Sequence, residues 1–180
     1  MPGNPWGIAS RDLFVFSLAL KRSGNYNSGM DSQLSENFTL AELTRTDAGL
    51  PNAPPAGALD NLERLACDVL EPIRALLGAP LIVHSGFRSR DVNAAVGGAR
   101  ASAHLEGRAC DFHPANEQLI RSEFEKIMHS GIPFDRIILE YKRSRYWIHA
   151  EIARLGDPPR RLCYIAVENG NGMSYREVRR

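Results

Sequence analysis

The sequence predicts an α+β fold, a small antiparallel sheet flanked by helices. Three observations carry that expectation. Apolar residues recur at helical spacing from Ala58 to Leu77. Short strand-like runs crowd the second half of the chain. The two kinds of segment mix without a strand–helix–strand rhythm. A length of 180 residues suits one domain with a sizeable core.

Taken in order, residues 1–33 read as an N-terminal extension or linker, with Pro2, Pro5 and a polar Ser23-Gly24-Asn25-Tyr26-Asn27-Ser28-Gly29 stretch. The compact domain, 34–180, opens at Ser35-Glu36-Asn37-Phe38-Thr39. Thr39 followed by Glu42 has capping-box spacing and predicts a short helix through Leu43. The Pro51–Pro55 segment is a loop. In the next helix Leu62, Leu65, Ala66, Val69, Leu70, Ile73 and Leu77 share a face; Pro72 should kink or split it, and Gly78 should end it. Leu81–Val83 reads as a buried strand entering a Ser85-Gly86 turn. Arg90–Ala95 supplies one or two helical turns before Gly97-Gly98, and Arg108–His113 is a strand. Pro114 is expected to open a helix through about His129, with Gly131 as its C-cap. Arg136–Glu140 and Arg145–Ile152 form a strand pair, closed with Glu140 opposite Arg145, and Leu162–Val167 is the last strand.

A net charge of +1 argues against a nucleic-acid partner, and no run is long enough to insert in a membrane. Cys67, Cys110 and Cys163 are odd in number and form no CxxC, so synthesis in a reducing cytoplasm is expected. The apolar run at 12–20 precedes Lys21-Arg22, the reverse of a signal peptide. If the protein acts outside a cytoplasm, something else must deliver it.

The chemistry concentrates in Ser85–Asp111. His104 and Asp111 are separated by Gly107, and His149 arrives later in Tyr146-Trp147-Ile148-His149. Two His and one Asp are the ligand types of an open zinc site. Asp111 and His149 are polar residues inside strand-like runs, where they need a partner or a cation. His113 shares a face with Asp111, and His84 precedes the Ser85 turn, so both compete as ligands. His129, at a helix end, is read as structural. Cys110 should point to the core.

Ser-Gly-Phe-Arg-Ser at 85–89, Val-Gly-Gly-Ala at 96–99, Ser102-x-His104-x-x-Gly107-x-Ala109-x-Asp111-Phe112 and the later Trp147-Ile148-His149 resemble the zinc D-alanyl-D-alanine carboxypeptidase family of murein metallopeptidases, in its phage-like, carboxypeptidase-like branch. The match spans roughly residues 34–167. It implies a hedgehog/DD-peptidase-like fold, a Zn2+ cofactor and a peptidoglycan stem peptide as substrate. It also implies His104, Asp111 and His149 as ligands, with Arg88 holding a substrate carboxylate or polarising the scissile carbonyl. Ser102 stands at a substrate-side position and could brace its loop; Trp147 could line the groove. Many relatives carry Glu three residues before the last His; here that residue is Tyr146. Strand parity instead puts Glu140 on the His149 face as general base, with Glu151 as its rival. The expected reaction is hydrolysis of a D-Ala-D-Ala bond or of an L-Ala-D-Glu or cross-link bond, in a phage or prophage enzyme. The alternatives are a virion structural or binding protein, reaching virion or tail proteins through residues 1–33, and a cytoplasmic D-Ala-D-Ala dipeptidase.

Overall fold

The computed structural model of the protein describes residues 32–170 and 172–179. The N-terminal extension expected over residues 1–33 lies outside these except for Ser32 and Gln33. Thr39 caps the first helix, α1 (Leu40–Thr44), its hydroxyl accepting from the Glu42 amide at 3.2 Å. The long amphipathic segment forms α2 (Ala56–Leu65), a π-helical turn (Ala66–Leu70) and α3 (Glu71–Leu77), ended by Gly78 at φ 64°. The π turn lies just before Pro72. The Glu71 amide reaches back to the Ala66 carbonyl, and this wider turn lets the helix continue into a proline that would otherwise break it.

Next come β1 (Leu81–Ser85), α4 (Arg90–Ala95), a 3-10 turn (Ala103–Glu106) and β2 (Ala109–Pro114). A second 3-10 turn (Glu117–Leu119) leads into α5 (Ile120–His129), which is followed by β3 (Arg136–Lys142), β4 (Arg145–Glu151), β5 (Leu162–Asn169) and β6 (Gly172–Glu177). Pro114 therefore does not open a helix. It closes β2 opposite Leu81, a strand end where its missing N–H costs nothing, and α5 starts six residues later with Ser130, not Gly131, at its C-cap.

The strands form one sheet in the order β1-β2-β4-β3-β5-β6. It is mixed, which corrects the expected antiparallel sheet. After β4 the chain stays at the Arg136 end, and β5 starts there on the far side of β3, so β5 runs parallel to β3. β6 then returns antiparallel to β5. The β3–β4 hairpin closes at Lys142 opposite Arg145, around Arg143-Ser144 with φ of 49° and 63°, a tight turn of the kind that matches strand twist. Glu140 is thus opposite Trp147 and not Arg145. The shift is two residues, so the expected parity survives.

One sheet face carries Cys110, Phe112, Ile137, Leu139, Ile148, Ala150 and Cys163 into the core, against Leu62, Leu65, Val69, Ile73, Phe124 and Ile127 of the helices. None of the three cysteines forms a disulfide. The opposite face presents Asp111, Arg145, Trp147, His149, Ile138 and Glu140, as the period of two requires. Among the described residues no helix is long and apolar enough to cross a membrane.

Candidate metal centre

Three elements deliver three side chains to one point. Asp111 on β2 and His149 on β4 are direct cross-strand partners. His104 comes from the 3-10 turn, which Ser102 caps by accepting from the His104 amide at 3.4 Å. His104 Nδ1–H donates to the Gly86 carbonyl at 2.6 Å, which turns Nε2 and its lone pair toward the other two groups. Gly86 has to lack a side chain, since a Cβ there would lie 2.2 Å from the Leu43 carbonyl oxygen. His104 Nε2 stands 3.2 Å from His149 Nδ1 and 3.2 Å from Asp111 Oδ1, and His149 Nδ1 stands 2.7 Å from that same oxygen. All three residues are buried.

The charges around them are matched. Arg88 donates to Asp111 Oδ2 and, through Nε, to Ser85 Oγ at 2.7 Å. Burial lowers the His104 pKa and keeps that ring neutral. Burial would raise Asp111, but the two imidazoles outweigh it and hold the carboxyl well below its usual range. Burial likewise opposes charge on His149; hydrogen bonds to Asp111 and Glu151 overcome this and raise its pKa to about 10. The second of these bonds is His149 Nε2–H donating to Glu151 Oε1 at 2.8 Å, and Arg136 holds the same carboxylate.

Comparison with protein-family models matches residues 36–151 to Peptidase M15. The chain belongs to the peptidase M15 family. Among curated proteins none matches it. M15 peptidases depend on a metal, and the buried His104, Asp111 and His149 could hold one, since their ligand atoms lie within 4.8 Å of one another. The donor set fits zinc. Bonds of about 2.0–2.1 Å in tetrahedral geometry separate ligand atoms by about 3.3 Å, which two of the separations found here match at 3.2 Å while the His149–Asp111 pair is tighter at 2.7 Å.

Of the competing residues, His84 and His113 stack on each other at 4.7 Å outside this cluster, and His129 ends α5. Tyr146 faces the other side of β4, packs against the core and lies under Arg121. Glu151 is committed to His149 Nε2, on the ring edge away from Asp111 and His104. Glu140 stands diagonally across from His149, a spacing of about 7 Å. Burial, then the Asp111 charge, raises its pKa to about 7.

Sequence reasoning missed the orienting role of Glu151. Its signal was a second acid at i+2 from a candidate ligand His inside a strand, which reads as a rival base until the far ring nitrogen is located. Replacing Glu151 with Ala is expected to weaken zinc binding about 10–100-fold, the usual cost of losing an outer partner of a ligand histidine. Chelator competition would measure this, and an unchanged affinity would mean that the ring is held by something else.

Proposed function

We propose that this M15 protein is a zinc peptidase that hydrolyses a peptide bond in the stem or cross-link of peptidoglycan. The observation that carries the reading is the convergence of His104 Nε2, Asp111 Oδ1 and His149 Nδ1 at zinc-like separations beside an open groove. Zinc held by these residues would supply Lewis acidity to the scissile carbonyl and to the attacking water.

The chain's own residues do the rest. Glu140 takes a proton from that water and returns it to the leaving amine. Its pKa of about 7 leaves it able to do both near neutrality. Arg88 is tethered through Nε and Nη2, and among the described residues its Nη1 has no partner, so it can bind a substrate carboxylate or the carbonyl oxygen. Trp147 lines the groove and offers an aromatic wall to the peptide. Ser102 holds the His104 turn.

The test is to measure bound zinc and digest purified murein, reading the products by mass spectrometry. Released D-Ala would mark a carboxypeptidase and cleavage after L-Ala an endopeptidase. Zinc in place with no peptide released would overturn the proposal.

A further inference from the structure

Beside the metal centre the sheet face opens into a groove of about 600 Å³, lined by His84, Ser85, Arg88, Asp111, His113, Glu117, Arg145, Tyr146 and Trp147. His84 reaches it through an irregularity in the β1–β2 ladder. Val83 pairs with Phe112 and Ser85 with Asp111, which leaves His84 as the extra, bulged residue. Its ring then lies against His113, centroids 4.7 Å apart. Across the groove Arg145 extends from the first position of β4.

The polar inventory of this groove is one-sided. Each acid has its own partner: Asp111 has Arg88 and the two metal-centre imidazoles, and Glu117 has His113 at 3.4 Å. Ser85 Oγ accepts from Arg88, and the Tyr146 hydroxyl meets Arg121. Among the described residues Arg145, His84 and the Trp147 indole make no hydrogen bond or ion pair. Arg and Trp side chains can only donate, and a His ring can. Arg145, His84 and the Trp147 indole therefore leave donor capacity uncommitted in the groove, with the positive charge of Arg145, and a carboxylate satisfies it.

We propose that Arg145, His84 and Trp147 form a carboxylate subsite, so that the protein prefers stem peptides with a free acid near the scissile bond over the same peptides amidated. This rests on the proposed peptidase function. It goes further by naming which chemical form of the stem is taken.

The experiment uses the zinc-loaded protein and two synthetic stem pentapeptides, identical except that the second-residue D-glutamate α-carboxyl is free in one and amidated in the other. The free acid is expected to be cleaved with a kcat/KM about tenfold or more above the amide, the range of a charge-assisted hydrogen bond. In Arg145→Gln and His84→Gln the ratio is expected to fall toward one. Equal rates in the wild type, or a preference untouched by Arg145→Gln, would overturn the subsite. Calorimetric titration with both peptides gives a second readout. If neither peptide is cleaved, the peptidase reading fails, yet tighter binding of the free acid that is lost in Arg145→Gln would still support the subsite. Equal binding would sink it.

Discussion

Glu140→Gln is expected to retain zinc while losing about 10²–10⁴-fold in kcat, the usual contribution of a positioned general base. Single-turnover cleavage of murein peptides, with metal content measured on the same sample, would check this. A variant that keeps wild-type rates would transfer the proton role away from Glu140. The same substitution has a signature in stability. The carboxyl is held at about 7 in the folded protein against about 4.5 unfolded, so the fold binds that proton more tightly than the open chain does. The associated stability is fully present below about pH 4.5 and is lost as pH rises through about 7. Gln mimics the protonated form and keeps it. In the metal-free protein, Glu140→Gln should therefore gain on the wild type between pH 5 and 8, by at most about 3 kcal/mol. Urea unfolding at the two pH values would show the difference; a constant gap would mean that Glu140 is not perturbed.

His149→Ala is expected to be the most damaging single change at the metal centre. It removes one of the three candidate ligand atoms and leaves the buried Asp111 and Glu151 facing a void, with Arg88 and Arg136 as their remaining cations. Zinc affinity should fall by more than the roughly 100-fold upper range for an outer partner, and murein hydrolysis by about 10³-fold or more. Metal analysis after dialysis, beside the digestion assay, measures both. Stoichiometric zinc in the variant would refute the ligand assignment.

Much of this was legible in the residues because it follows from local rules. The 3.6 period over Leu62–Leu77 gives the helical segment, Thr39 and Ser102 sit where caps belong, and strand parity places Glu140 with His149 for any turn that shifts the register by two residues. Pairings made at a distance were not legible. Nothing in Leu162–Asn169 says that it will run parallel to β3, since that depends on where residues 152–161 return the chain. Gly-Met-Ser-Tyr-Arg-Glu of β6 has no apolar alternation, because both its faces are largely exposed, so it carried no strand signal. Pro114 satisfied a helix-start rule, but tertiary pairing with Leu81 overrode it. The His84 bulge depends on one unmatched residue within the β1–β2 ladder, which a single sequence does not mark.

The β5–β6 hairpin follows the segment matched to the family, which ends at Glu151. Because β5 bonds to β3 along Arg136–Tyr141, the strand that carries Glu140 is flanked on both sides. Cutting the chain back to the matched span would strip that cover and leave a row of six unpaired backbone positions on a strand rich in isoleucine and leucine. Such an open edge invites a second copy to add its own strand. The shortened protein would be prone to self-association, and Glu140 would lose the rigid bed that holds it.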